Sequence, residues 1–228
     1  MDLAALLKNR VLIGDGAMGT ELIRYGVPPN SPMELVNLEN PQLVAKVHRG
    51  YAEAGSDLVL TNSFGATSVK LNKFGLAKRM REINLAAVHI AREAVPGTVL
   101  IGGDIGPTGE LLKPYGLAEP VAVKAAYLEQ AAALAEARVD FLILETFYDL
   151  TEALLALGAA RETGLPVIVS MTFELKRASA YTVMGHEATD CARILLMPGP
   201  RSSAPIARSR STACRKSPNC LKKGPTCR

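Results

Sequence analysis

The sequence predicts an α/β protein organised around a parallel sheet. Short, nearly continuous apolar runs alternate with segments of helical period, and this β-then-α unit repeats five times. A polar residue closes each apolar run: Asp15, Thr61 with Asn62, Asp104, Glu145 and Thr172. Strands are predicted at Val11–Gly14, Asp57–Thr61, Thr98–Asp104, Asp140–Glu145 and Pro166–Thr172. Each has the unbroken apolar character that a strand covered on both faces requires. Helices are predicted at Pro41–Ala54, Lys78–Ala94, Pro120–Ala137, Leu150–Glu162 and Glu187–Leu196. Pro41 and Pro120 suit a first helical turn, Asn40 suits the N-cap before Pro41, and Gly55 and Gly164 suit helix ends. Two architectures fit this pattern: an open doubly wound sheet, or part of a (β/α)8 barrel. In either, ligands bind at the rim where the strands end. Neither a phosphate-binding Walker loop nor a G-x-G-x-x-G dinucleotide fingerprint occurs.

The chain divides into two compositions. Residues 197–228 hold eight Lys or Arg and no acid, so the net charge of +4 misdescribes residues 1–196, where 18 basic residues meet 22 acidic ones. Cys214, Cys220 and Cys227 also lie in this segment, with five prolines and five serines. Residues 1–196 therefore read as one domain with a sizeable core, and residues 197–228 as a basic tail whose composition predicts disorder. No apolar run is long enough to span a bilayer, and no charged-then-apolar leader opens the sequence. A cytoplasmic protein without a membrane partner is the expectation.

The run Gly14-Asp15-Gly16-Ala17-Met18-Gly19-Thr20 follows the first apolar stretch. A carboxylate and free backbone N–H groups at a sheet mouth can hold an amino acid by both ends, Asp15 taking the ammonium and the loop amides the carboxylate. The alternative is a tight turn whose glycines only satisfy backbone geometry. His48 and His89 fall in helices and His186 in a loop, without metal spacing, so none is assigned a role. Asp104 reads as a buried structural acid satisfied by backbone amides.

Six segments occur in one order: G-D-G-A-M-G-T (14–20), M-E-L-V-N-L (33–38), L-T-N-S-F-G-A (60–66), G-G-D-I-G-P-T-G (102–109), L-E-T-F-Y-D (144–149) and S-M-T-F (170–173). Together they resemble the homocysteine S-methyltransferase family, from about Val11 to Leu196, and most of all its cobalamin-dependent and bacterial single-module members. The resemblance implies a (β/α)8 barrel of which this chain carries about the first five βα units. It implies homocysteine as substrate, methionine as product, and zinc held by three cysteines that takes the substrate sulfur and makes the thiolate available near neutral pH. The methyl donor, by member, is methylcobalamin, betaine or S-methylmethionine. The G-D-G-A-M-G-T-E-L segment leans towards the cobalamin-dependent type, so a cobalamin-binding module or protein is an implied partner. Methylcobalamin would not be bound by this chain alone. Asp15 and Glu145 match the acids that hold the substrate ammonium. Gly16, Ala17, Met18, Gly19 and Thr20 match the segment at the amino-acid end. Thr61 and Asn62 match rim residues beside the substrate.

The chain departs from the family after Leu196. The family's G-A-N-C and G-G-C-C segments, which supply the zinc cysteines, are missing, and Cys191 lies inside a predicted helix. The genetic code offers an account. If the reading frame slips at the last base of the Leu196 codon, allowed codons for the residues that follow spell D-A-G-A-E-V-V-G-A-N-C, as a sixth family strand should. This favours a frameshift over an evolved tail, and the coding DNA tests it: stops in the other frame, or no G-A-N-C there, would refute it. The sequence thus implies a methyltransferase by family that is inactive as written. The alternatives are a non-catalytic fragment, or an α/β module whose basic tail binds nucleic acid. The tail cysteines are spaced six and seven apart and no aromatic residues interleave the charges, which suits neither a zinc ribbon nor base stacking.

Overall fold

A computed structural model describes residues 3–176, 179–197 and 206–211. The strands are β1 (Leu58–Leu60), β2 (Leu100–Ile105), β3 (Phe141–Phe147), β4 (Val167–Lys176), β5 (Ser179–Tyr181) and β6 (Ile206–Ser211). The helices are α1 (Leu3–Asn9), α2 (Met18–Arg24), α3 (Val36–Glu39), α4 (Pro41–Glu53), α5 (Ser68–Asn72), α6 (Met80–Ala94), α7 (Pro120–Glu136), α8 (Leu150–Arg161) and α9 (Ala188–Leu195). The β1, β2, β3 and β4 strands and all five predicted helices fall within a few residues of their expected bounds. Asn40 caps α4 by accepting the Leu43 N–H, and Gly55 and Gly164 adopt positive φ just beyond α4 and α8.

The sheet runs β1, β2, β3, β4, β6, all parallel, and β5 folds back antiparallel on the end of β4. The predicted first strand is reduced to a single bridge, Gly14 to Leu58, beside β1. Asp57 holds it there: its N–H donates to Ile13 O at 2.7 Å and its Oδ2 accepts the Ile13 N–H at 2.8 Å. Of the tail that composition reads as disordered, residues 206–211 form β6, and the other residues from 198 onward lie outside the described residues.

Side-chain alternation divides the core. Val59, Ile101, Leu142, Leu144, Val167 and Val169 face one way, under α4, α6, α7 and α8. These helices lie side by side in chain order. Leu58, Leu60, Leu100, Phe141, Ile143 and Ile168 face the other way and meet α1 through Leu3, Leu6 and Leu7. A doubly wound sheet reverses its strand order and covers both faces with crossover helices. Strands in unbroken order with every crossover helix on one face make the arc of a barrel. The inner face is tightly built: a Cβ on Gly102 would sit 2.5 Å from the Phe141 ring.

Candidate functional site

Inward alternation along β2 and β3 carries Asp104 and Glu145 to the rim, where β1 and the Gly14–Met18 loop also end. A cavity of about 410 Å³ opens there, within the range of small-ligand pockets. Its polar rim comprises Asp15, Thr61, Asp104, Glu145 and Ser170, and Leu3, Leu7, Phe141 and Ile143 form part of its apolar floor.

Asp15 follows the edge bridge, and its Oδ2 accepts the Leu60 N–H at 2.9 Å. Burial nevertheless raises its pKa to about 7, partly offset by that N–H and reinforced by the Glu145 charge. Gly16 lets Tyr51 close over the loop: a Cβ there would lie 2.7 Å from the Tyr51 hydroxyl, which donates to Ala17 O at 3.3 Å, so a larger residue would displace the ring. Glu145 sits on a bulge. The β3–β4 register shifts between Leu144 and Phe147, and Thr146 takes φ 63°, a conformation costly for a β-branched residue. Such bulges re-aim a side chain, and this one lies where Glu145 enters the pocket.

Thr61 is buried and committed. Its hydroxyl accepts the Asp104 N–H at 3.0 Å and lies 2.7 Å from Ser63 Oγ. Ser63 spends its one proton on Asp104 O at 2.7 Å, so Thr61 is the donor between the two hydroxyls. Thr61 can therefore only accept a further hydrogen bond, which suits a ligand N–H.

The structure brings Asp15, Gly16, Ala17, Met18, Thr61 and Glu145 to the cavity, but not Gly19, Thr20 or Asn62. Gly19 turns towards Met33, and the Asn62 amide donates to Met33 O at 2.8 Å and to Asn37 Oδ1 at 3.0 Å, tying the rim together. Asp104 requires a correction. Its backbone is bonded as described, but its carboxyl is not satisfied by amides: Oδ1 is buried without a partner, and the side chain lines the cavity. In sequence Asp104 closes an apolar run as Asp15 and Glu145 do, a position that fits a structural acid equally well.

The family's zinc can be tested against the donors present. Among the described residues no group of three His, Cys, Asp or Glu is placed to hold a metal ion. Cys191, the free cysteine among the described residues, lies on the buried face of α9 and packs into the core. Cys214, Cys220 and Cys227 lie outside the described residues. The described residues do not fit the metal.

A barrel arc with a carboxylate-rimmed pocket at its C-terminal edge defines a (β/α)-barrel protein. The chain belongs to the homocysteine S-methyltransferase family, whose model matches residues 12–208. It is 30% identical over 191 residues to a methionine synthase of Mycobacterium tuberculosis and 32% identical over 191 residues to that of Mycobacterium leprae. Each match covers 76% of this chain but spans only 16% of the relative's length. Among solved structures, the metallated homocysteine methyltransferase MmuM from Escherichia coli is similar with TM-score 0.71 and 25% identity, over 85% of this chain and 73% of that one. Its oxidised form gives TM-score 0.71 and 27% identity, over 85% and 72%.

Proposed function

We propose that the cavity is an amino-acid site for homocysteine, and that the chain carries the substrate-recognising part of a homocysteine S-methyltransferase that forms methionine in the cytoplasm. Asp15 and Glu145 hold the ammonium. Amides of Gly16, Ala17 and Met18 hold the carboxylate, Thr61 accepts a further N–H, and Asn62 steadies the rim from outside the cavity. The observation that supports this reading is the convergence of Asp15 and Glu145 on one cavity, from a loop and from a bulged strand. Two carboxylates facing a small, partly apolar space favour a cation, and an amino acid brings one.

The fully assembled family site activates the thiol on zinc. No step is routed through that metal here, because the described residues do not fit it. We propose that the chain as written holds no stoichiometric zinc and transfers no methyl group. A cobalamin-binding module or protein would supply methylcobalamin to a complete relative. Metal analysis of the purified chain and an assay with methylcobalamin test this half, and one zinc per chain with methionine formed would overturn it. Calorimetric titration tests the recognition half. Homocysteine is expected to bind one-to-one, and 4-mercaptobutyrate, which lacks the amino group, is not. Equal binding of the two would refute the amino-acid reading.

A further inference from the structure

We propose that the cavity accepts α-amino acids with long unbranched apolar side chains, whose tails run past the reach of homocysteine and end against Phe141 and helix α1. The inference rests on the amino-acid reading of the site and names a wider class of ligand for the same pocket.

Three observations carry the proposal. The first is the wall. On the helix-covered face of the sheet Val59, Leu142 and Leu144 are fully buried, whereas on the inner face Leu60, Ile143 and Ile168 are only half-buried. All three line the cavity, so they present apolar surface to it. A ligand that takes this surface out of water gains affinity with the area it covers.

The second is depth. Phe141, Ile143 and Glu145 alternate inward along β3 and mark three levels from floor to rim, with Ile168 of β4 beside Ile143. At about 3.3 Å per residue, the strand descends about 13 Å from Glu145 to Phe141. The homocysteine side chain is three bonds long and reaches roughly 4 Å, to the level of Ile143. A six-carbon tail reaches roughly 8 Å and approaches the Phe141 level.

The third is the floor. Phe141 and Leu60 lean across Gly102, where a Cβ would lie 2.5 Å from the Phe141 ring and 2.8 Å from the Leu60 side chain. Leu3 and Leu7 of α1 pack with the same cluster and line the cavity. The floor is therefore hydrocarbon, while Asp15 and Glu145 stand at the mouth. A ligand with an ammonium at one end and an alkyl chain at the other matches that polarity.

The test titrates the full chain with the L-enantiomers of 2-aminobutyrate, norvaline, norleucine, 2-aminoheptanoate and 2-aminooctanoate in a calorimeter. Affinity is expected to rise about fourfold per added methylene, and by about a hundredfold or more across the series. Octanoate, which has the tail without the ammonium, is expected to bind at least ~30-fold more weakly than 2-aminooctanoate. Ile143→Phe narrows the pocket midway and should cost 2-aminooctanoate at least ~10-fold more than 2-aminobutyrate. A thermal melt checks the fold of the variant, and the wild-type series stands without it. Homocysteine binding with an affinity that is flat or falls along the series would overturn the inference and leave the amino-acid reading in place. Octanoate binding as tightly as 2-aminooctanoate would overturn it too, because the tail would then bind without the rim. So would equal losses for the long and short ligands in a folded Ile143→Phe chain. Failure of homocysteine and of every member of the series to bind would overturn the amino-acid reading itself, and this inference with it.

Discussion

His48 offers a sharp test of how tightly the α4 layer is built. It is fully buried on α4, and neither ring nitrogen has a hydrogen-bond partner. Burial lowers its pKa from 6.5 to about 4. A histidine held neutral by the fold costs nothing above its unfolded pKa. It costs progressively more as pH falls from about 6.5 to about 4, because the unfolded chain takes up a proton that the folded chain refuses. At pH 5 the unfolded state is favoured by about 2 kcal/mol through this residue alone, and below pH 4 by about 3 kcal/mol. Asp15 works in the opposite sense. Its raised carboxyl destabilises the fold as pH climbs through the interval from 3.8 to about 7, so acidification relieves it. The two nearly cancel in a wild-type pH profile, and a difference measurement separates them. His48→Leu removes the titration and two unpaired nitrogens while keeping an apolar side chain of similar bulk. Urea unfolding of both proteins at pH 7.5 and pH 5 should show the variant gaining about 2 kcal/mol relative to wild type on acidification. An unchanged difference between the two pH values would show that His48 is solvated or partnered in solution and would refute the reasoning.

Two further outcomes follow from the packing. Glu152, buried on α8, takes the Thr108 N–H at 2.8 Å, the Thr108 hydroxyl at 2.6 Å and the Tyr127 hydroxyl at 2.8 Å on one oxygen. Glu152→Ala removes the acceptor all three share, leaving the Thr108 N–H only the Tyr127 hydroxyl at 3.2 Å and that hydroxyl only Gly106 O at 3.4 Å; it should lower stability by about 2 kcal/mol in urea unfolding, with a change under ~0.5 kcal/mol arguing that the loop re-pairs with water. On the edge segment, Val11 and Ile13 are 77% and 61% exposed. Replacing both with threonine should reduce association in light scattering without lowering the melting temperature, whereas a large loss of stability would mean that these side chains are covered in solution.

Much of the fold was legible because buried parallel strands and their crossover helices write themselves in unbroken apolar runs and helical periods. The β2, β3 and β4 strands and α4, α6, α7 and α8 follow from those signals alone. Barrel and open sheet share them, and what distinguishes the two is the placement of the crossover helices on one face of the sheet. The first strand is shorter than its apolar run: Val11 and Ile13 look like core in sequence, yet they are exposed and only Gly14 makes a bridge. The α1 helix is weakly signalled in sequence: Leu3, Leu6 and Leu7 have helical spacing, but a seven-residue helix of about two turns carries no flanking signal. In the site, Asp15 and Glu145 could be read from strand ends. Asp104 could not be separated from a structural acid, because whether a buried carboxyl finds donors depends on where Thr61 and Ser63 send theirs. The bulge at Thr146 was illegible, since a β-branched residue at positive φ contradicts local propensity and is held there by the fold.

The central claim is that Asp15 and Glu145 together grip the ammonium of an amino acid. Homocysteine titrations of the wild-type chain, Asp15→Asn and Glu145→Gln test it most directly. The account expects one-to-one binding by the wild type and a loss of at least ~30-fold in each variant, with neither melting temperature lowered. Homocysteine binding that is unaffected by either substitution, or no binding by a folded wild-type chain, would contradict it.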